Sequence, residues 1–389
     1  MEQLSPLAGI RVLDLSRIIA GPMAAQILAD CGADVVKIEA PGVGDPSRTY
    51  VAEGDEHERS PIFCNLNRNK RSVVLDLKDP AGHDAILAMV RGCDVLVHNF
   101  RQGVMERLGL SYADLKAVNP RLVHCSISGF GNRGPYRYRA ANDVVAQAFG
   151  GVMSFTGDVG GQPVRSGASI ADVTTALWAT IGIMSALIER NSTGRGREVT
   201  TSLFEGQVSL AAPYLIEYTL TGTIAEPMGS GTKVGLPNGT FPTKDRPVLI
   251  AAVDERVWQR LCAAISAPEL ADDPRFASLP DRREHRAELE AAIAVRTEQL
   301  TSEECLSLLR EAGVPSGPIN SVADVVADPQ FQALDMYAEL PGDNGIPVPV
   351  IRLPFALDDG EFPLHSSPPA LGRDTRTVLE APENVWHER

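Results

Sequence analysis

Between residues 10 and 127, short runs rich in Val, Ile and Leu alternate with helix-length segments, and this alternation constrains the fold more than any other feature of the chain. The runs are Ile10–Leu15, Val35–Ile38, Ser72–Leu77, Val95–His98 and Leu122–Ile127. Between them lie Gly21–Cys31, closed by Gly32, then Pro80–Val90 with proline in the first turn, then Tyr112–Val118. Proline suits a first turn because its missing N–H has no intrahelical partner there. A helix between two strands carries the chain back to the end where it started, so the strands run parallel. The pattern predicts a doubly wound, Rossmann-like α/β large domain over residues 1–221, with ligands at the carboxyl ends of its strands.

Asp172–Arg190 reads as one long, almost wholly apolar helix, which belongs at the centre of a fold. Its apolar part, Val173–Ile188, holds three threonines and is shorter than the roughly 20 apolar residues a bilayer span needs, so no membrane partner is expected. After a Gly- and Pro-rich stretch from Gly222 to Pro247 come a strand at Val248–Val253 and helices at Val257–Ser266, Arg283–Gln299 and Ser302–Ala312. They predict a smaller α+β domain over residues 222–320. The remaining segment, 321–389, is too short for its own core, and its proline-rich end should return to the large domain or to a partner chain.

With 36 Lys+Arg against 50 Asp+Glu, the net charge of −14 argues against nucleic acid or anionic lipid as a partner. The six cysteines are scattered without a CxxC pair, and MEQLSPLAGIRVLDL has no basic-then-apolar leader, so a cytoplasmic protein with reduced thiols is expected. The histidines form no HxxH or HExxH pair, which predicts no metal site. No GxSxG nucleophile turn is present.

Gly129-Phe130-Gly131-Asn132-Arg133-Gly134 matches GxGxxG formally, but Pro135 follows where a dinucleotide site needs a helix to begin. These glycines are better read as shaping a loop at a strand end. Three basic clusters stand out in an acidic chain: Arg68, Lys70 and Arg71 with Lys78; Arg101 and Arg107; Arg133, Arg137 and Arg139. They suit the phosphates of a nucleotide-like ligand, or are solvated surface charge. Asp172, in GASIADVTT at the start of the long helix, is either its N-cap or a carboxylate nucleophile, and periodicity does not separate the two.

Taken together, VLDLS, AGP, GADVVKIEAPGVGDPSR, LNRNKRSVVLDLK, NFRQGVMERLGL, NPRLVHCSISGFGNRGPY, VAQAFGG, the Asp172 segment, STGRGREVTTSLFE and PPALGRDTRTVL resemble the class III CoA-transferases. This group includes formyl-CoA and carnitine CoA-transferases and the α-methylacyl-CoA racemases. The resemblance implies an interlocked homodimer that moves CoA from an acyl-CoA thioester to a small carboxylic acid, with no tightly bound cofactor. It implies Asp172 as nucleophile, kept ionised by the N-terminus of its helix. Coenzyme contacts are implied at Leu75, Asp76, Leu77, Lys78, Asn99, Phe100, Arg101, Arg107, Arg139 and Asn142. The chain departs from the family pattern at four places. Ile19 stands where formyl-CoA transferases have Gln, which argues against formyl-CoA and oxalate. Ala40 replaces an Arg, a glycine-rich lid is reduced to Met228–Gly231, and Asn142 stands where the racemases have His. A 2-methylacyl-CoA racemase and a non-catalytic acyl-CoA-binding paralogue are the alternatives.

Overall fold

The computed structural model describes residues 5–386, apart from residues 233, 344, 359 and 363. They form two units: one comprises the chain up to Met153, Arg165–Thr223 and the chain from Gln330; the other comprises Ser154–Val164 and Ile224–Pro329. The smaller unit therefore takes in residues 154–164 as well as the stretch after 221. Gly229 N–H donates to the Gly157 carbonyl at 2.8 Å, which ties that excursion to it.

The larger unit is built on a parallel six-stranded sheet of β1 (Arg11–Asp14), β2 (Asp34–Glu39), β3 (Lys70–Val74), β4 (Val95–His98), β5 (Val123–Ser128) and β6 (Glu198–Ser202), in the order β3-β2-β1-β4-β5-β6. Its helices include α1 (Ala20–Asp30), α2 (Pro80–Arg91), α3 (Tyr112–Val118), α4 (Asp143–Phe149), α5 (Ile170–Thr193) and α6 (Leu203–Thr221). Successive strand residues face opposite sides, so each strand supplies both layers. Val12, Val35, Val97 and Cys125 join Ala24, Leu28, Ala176 and Ile183 of α1 and α5 on one face. Leu13, Val36, Val73 and Leu96 join Ile86, Met89 and Leu115 of α2 and α3 on the other. Trp386 completes this second layer, its indole N–H donating to the Met89 carbonyl at 3.0 Å. Small residues let α5 lie close to the sheet: a Cβ on Gly182 would come within 2.6 Å of Val199 Cγ1.

Three local expectations are corrected. β3 starts at Lys70 and stops at Val74, so Leu75–Lys78 form the loop beyond the strand. The helix expected at Arg283–Gln299 is broken at His285 into Leu279–Glu284 and Arg286–Thr297. α5 begins at Ile170 with Ser169 as its N-cap, so Asp172 sits inside the first turn and is not the cap. The smaller unit has an antiparallel three-stranded sheet, β7 (Asn238–Phe241), β8 (Val248–Ala251) and β9 (Ser316–Pro318), around a core that includes Trp258, Phe276 and Leu309. The C-terminal part of the larger unit adds an antiparallel hairpin, β10 (Tyr337–Pro341) with β11 (Pro347–Ile351).

At the β3-β2-β1 end, the face under α1 is charged. Asp14, Lys37 and Lys70 are all fully buried. Lys70 Nζ lies 2.9 Å from Asp14 Oδ2, and Lys37 Nζ lies 3.7 Å from the same oxygen and 2.9 Å from Asp45 Oδ2. Arg68 and Asn69 converge on Asp30 at 2.6 and 2.8 Å, and Arg71 pairs with Asp34 at 2.7 Å. The basic cluster Arg68, Lys70 and Arg71 is thus a set of internal ion pairs and not an anion site.

Burial alone would raise the Asp14 pKa, but Lys37, Lys70 and the Ser16 hydroxyl outweigh it and hold the group at about 2. Asp14 therefore contributes stability above its unfolded pKa near 3.8, and that contribution is lost as the pH falls through about 2. Asp14→Asn leaves two buried ammonium groups short of a counter-charge and should cost about 3–5 kcal/mol in urea unfolding at neutral pH. The variant should also lose less stability than wild type on acidification from pH ~4 to ~2. A loss below about 1 kcal/mol would show that the lysines are held by other groups.

Candidate active site

The carboxyl ends of β1–β5 open onto one cavity of ≈ 750 Å³, contained wholly in the larger unit. It straddles the point between β1 and β4 where the strand order reverses, which is where the connecting loops diverge and leave a crevice. Its walls are the loops after β1 (Ser16–Ile19), β2 (from Ala40), β3 (Leu75–Lys78), β4 (from Asn99) and β5 (from Gly129), together with Asp172 and Leu203.

The buried charges set the shape of the first wall. Lys37 Nζ donates to the Ser16 carbonyl at 2.9 Å, and the Ser16 amide and hydroxyl both donate to Asp14. Gly21 is required beside them, since a Cβ there would lie 2.2 Å from Ser16 Cβ. Asp45 accepts the Ile18 amide at 3.1 Å. Asn99 grips Arg17 through both of its backbone groups, at 2.8 and 2.7 Å. Held in this way, Ile18 adopts φ +70°, a left-handed conformation that costs a β-branched residue about 1–2 kcal/mol. Such strain persists where the surroundings over-determine a residue, and it clusters at functional sites. The Arg17 guanidinium lies over the Phe100 ring at 4.9 Å and lines the cleft.

Asp172 enters the cavity from the first turn of α5. All four leading amides of that turn are already engaged. Ile170 N–H donates to Ala168 O at 2.9 Å and Val173 N–H to Ser169 O at 3.0 Å. Those of Ala171 and Asp172 donate to Asp143 Oδ1 at 2.8 and 3.3 Å. The Asp172 carboxyl makes no hydrogen bond among the described residues. The expectation that the helix N-terminus keeps Asp172 ionised is therefore corrected: burial, and then the neighbouring Asp143 carboxylate, push it up to about 7. The group is poised between acid and carboxylate near neutrality.

Of the residues singled out in the sequence, Asp172, Leu75, Asp76, Leu77, Lys78, Asn99, Phe100, Arg101, Arg139 and Asn142 all line this cavity. Arg107 does not; it borders an adjoining shallow depression of ≈ 320 Å³ with Lys78 and His83. Arg17, Lys78, Arg101, Arg107, Arg137 and Arg139 are exposed, and none pairs with a carboxylate among the described residues. Arg139 instead rests on the Phe149 ring at 4.6 Å. Asn142 caps α4, its side-chain oxygen accepting the Val145 amide at 3.1 Å. The Gly129–Gly134 stretch is loop, and the next helix waits until Asp143. Among the described residues, no group of three or more His, Cys, Asp or Glu is arranged to hold a metal ion.

Sequence reasoning missed Arg17, Ile18 and Asp143. The i,i+4 spacing of Asp143 and Gln147 was the one visible hint of a side-chain pair on a helix.

A family model for CoA-transferase family III matches residues 7–375. An acyl-CoA transferase of Fusarium pseudograminearum is 38% identical over 96% of this chain and 84% of its own. A succinate–glutarate CoA-transferase of Agrobacterium fabrum is 34% identical over 98% of this chain and 96% of its own. A solved structure of a CaiB/BaiF family protein from Brucella suis superposes with a TM-score of 0.87 at 36% identity, covering 98% of this chain and 100% of that one.

Proposed function

The chain belongs to CoA-transferase family III and moves CoA between an acyl-CoA and a carboxylic acid, and we propose that Asp172 is the nucleophile that carries the transfer. The observation behind this reading is a carboxyl on the cavity wall with no hydrogen-bond partner among the described residues and a pKa of about 7. One Asp172 oxygen attacks the acyl carbonyl carbon, the C–S bond breaks, and CoA leaves as its thiolate. The thiolate then attacks the Asp172 carbonyl of the mixed anhydride, giving an aspartyl-CoA thioester and the free donor acid. The acceptor carboxylate attacks that thioester, expelling the thiolate and forming a second anhydride. The thiolate attacks the acceptor carbonyl, producing the new acyl-CoA and restoring Asp172. Water must stay out while either anhydride exists. Racemisation would need a second group able to exchange a proton on the opposite face. Asn142 cannot do so, being an amide already used as a helix cap.

Arg101, Lys78 and Arg107 are assigned to the CoA phosphates, with Leu75, Asp76, Leu77, Asn99, Phe100, Arg139 and Asn142 as further coenzyme contacts. Arg17, on the same wall, takes over the charge that Ala40 lacks. The acceptor class is a small dicarboxylic acid, a reading supported by the Agrobacterium relative's name and by the unpaired Arg137. The larger unit is proposed to be a doubly wound Rossmann-like domain in an interlocked homodimer. Support for the dimer comes from α5 and α6, which leave Trp178, Ile181, Ile188, Ile216, Tyr218 and Leu220 exposed. Exposed large apolar side chains in this number on two adjacent helices call for a partner. α5 is also the one described helix long and apolar enough to cross a membrane, but its other face packs into the sheet core. Six free thiols, five of them buried, suit a reducing cytoplasm.

Turnover with succinyl-CoA and glutarate should rise with pH through about 7, since only ionised Asp172 attacks. Asp172→Asn should fold and fall to background. Hydroxylamine added to wild type during turnover should convert this one aspartate to its hydroxamate, seen by mass on its peptide. Full activity in Asp172→Asn would refute the nucleophile. Arg101→Ala should raise the CoA dissociation constant about tenfold, corresponding to loss of one charged hydrogen bond; an unchanged constant would remove Arg101 from the phosphate site. Sedimentation at nanomolar concentration should show only the dimer, and a folded monomer there would refute the interlocked arrangement.

A further inference from the structure

One buried carboxylate, Asp143, lies beside Asp172 and touches none of the atoms that react. Asp143 opens α4 and is only 8% exposed. Its Oδ1 receives the Ala171 and Asp172 amides at 2.8 and 3.3 Å, and its Oδ2 receives Gln147 Nε2 at 2.6 Å. Gln147 is itself fully buried and turns its Oε1 to the Ser166 amide at 2.9 Å, on the segment leading into α5. A single side chain thus clamps the first turn of α5 to α4 from outside that helix.

A neutral acceptor such as Asn would satisfy the same two amides through its one oxygen, so the hold on α5 does not itself call for a charge; only the bond from Gln147 Nε2 needs the second carboxylate oxygen. A second carboxylate next to a group that must ionise is unfavourable. We propose that Asp143 is the positioning residue of the Asp172 nucleophile, fixing the first turn of α5 through its amides and setting a second carboxylate beside the Asp172 carboxyl. This inference rests on the reading of Asp172 as the nucleophile.

The charge has a direct consequence for the reaction. Before attack, Asp172 is an anion repelled by Asp143; once acylated it is an uncharged anhydride or thioester, and the repulsion is gone. The neighbour therefore raises the reactant state and leaves the covalent state untouched, favouring acylation. Titratable groups on the elements packed against α5 are Asp30 on α1, His124 and Cys125 on β5, Asp143 on α4, Glu198 on β6, and Glu205, Tyr214, Glu217 and Tyr218 on α6. Of these, Asp143 is the one whose charge acts on Asp172.

Two variants separate the charge from the clamp. Asp143→Asn keeps an oxygen acceptor for the two amides and removes the charge, giving up only the bond from Gln147 Nε2. The acidic limb of its kcat–pH profile should move to lower pH by about one unit, with the plateau reduced. Asp143→Glu keeps the charge but displaces the acceptor by one methylene. Its kcat should fall at least about tenfold at unchanged KM for acyl-CoA, with the limb no lower than in wild type. A folded Asp143→Asn with the wild-type pH profile would overturn the inference. If that variant does not fold, a folded Asp143→Glu with wild-type kcat overturns it instead. Hydroxylamine trapping in wild type keeps the two readings apart. Absence of the Asp172 hydroxamate sinks the nucleophile itself, whereas its presence together with inert Asp143 variants sinks only the role of Asp143.

Discussion

Asp14 is a carboxylate with no access to water, held between two lysines equally removed from it. Desolvating three such charges is costly, and the arrangement is stable only while every member keeps its partners. That condition reaches well beyond the strand. Lys37 must reach Asp45 and the Ser16 carbonyl, and Lys70 must reach the Pro22 carbonyl and Asn67. Glu39 in turn takes Arg48 at 2.7 Å and Ser72 at 2.6 Å. The loop after β1, the loop after β2 and the start of α1 are therefore fixed relative to one another by electrostatics as well as by the apolar packing of Ala20 and Ala24. The left-handed backbone at Ile18 is one product of that fixation, and the shape of the cleft wall is another.

The opposite wall is governed by a different balance. A buried carboxyl tends toward the acid form, and a helix N-terminus usually opposes this with free amides. In α5 those amides are taken by Asp143, Ala168 and Ser169, so among the described residues the Asp172 carboxyl receives neither hydrogen bonds nor a compensating cation. Attack on a thioester benefits from a carboxylate that is poorly solvated and relatively basic, provided it is still ionised at the working pH. A group near 7 meets both conditions. The two walls differ in kind: one is rich in exposed cations suited to phosphates, and the other carries the Asp172 carboxyl, the proposed nucleophile, on a clamped helix turn.

Departures from the family pattern find physical places in this arrangement. Asn142 has become a helix cap, which an imidazole could not provide in the same way. Ala40 leaves the cleft wall without a cation at that point, while Arg17, which pairs with no carboxylate among the described residues, presents one from the neighbouring loop. Ile19 keeps that part of the lining apolar.

The alternation of β1–β5 with α1–α3 was legible in the sequence because hydrophobic periodicity is local: Val12 and Leu13, or Val35 and Val36, are both apolar because both faces of a parallel sheet are covered. The loops at strand ends that form the site were legible for the same reason, since ligands collect where such strands finish. The partners of individual charges were not. Arg68, Lys70 and Arg71 form a basic cluster in one dimension, yet each finds its acid 37 to 56 residues away, at Asp30, Asp14 and Asp34. Asp172 was visible as a candidate, but not its environment, because the carboxylate that occupies its helix amides comes from α4, 29 residues earlier. The sequence by itself determined the alternating strands and helices between residues 10 and 127 and the long apolar helix after Ser169, with the residue types at their ends, since those follow from short-range pattern. Only the tertiary structure decided which charges cancel internally, which face the cleft, and how strongly Asp172 holds its proton, since each of these depends on distances between residues that the chain brings together from afar.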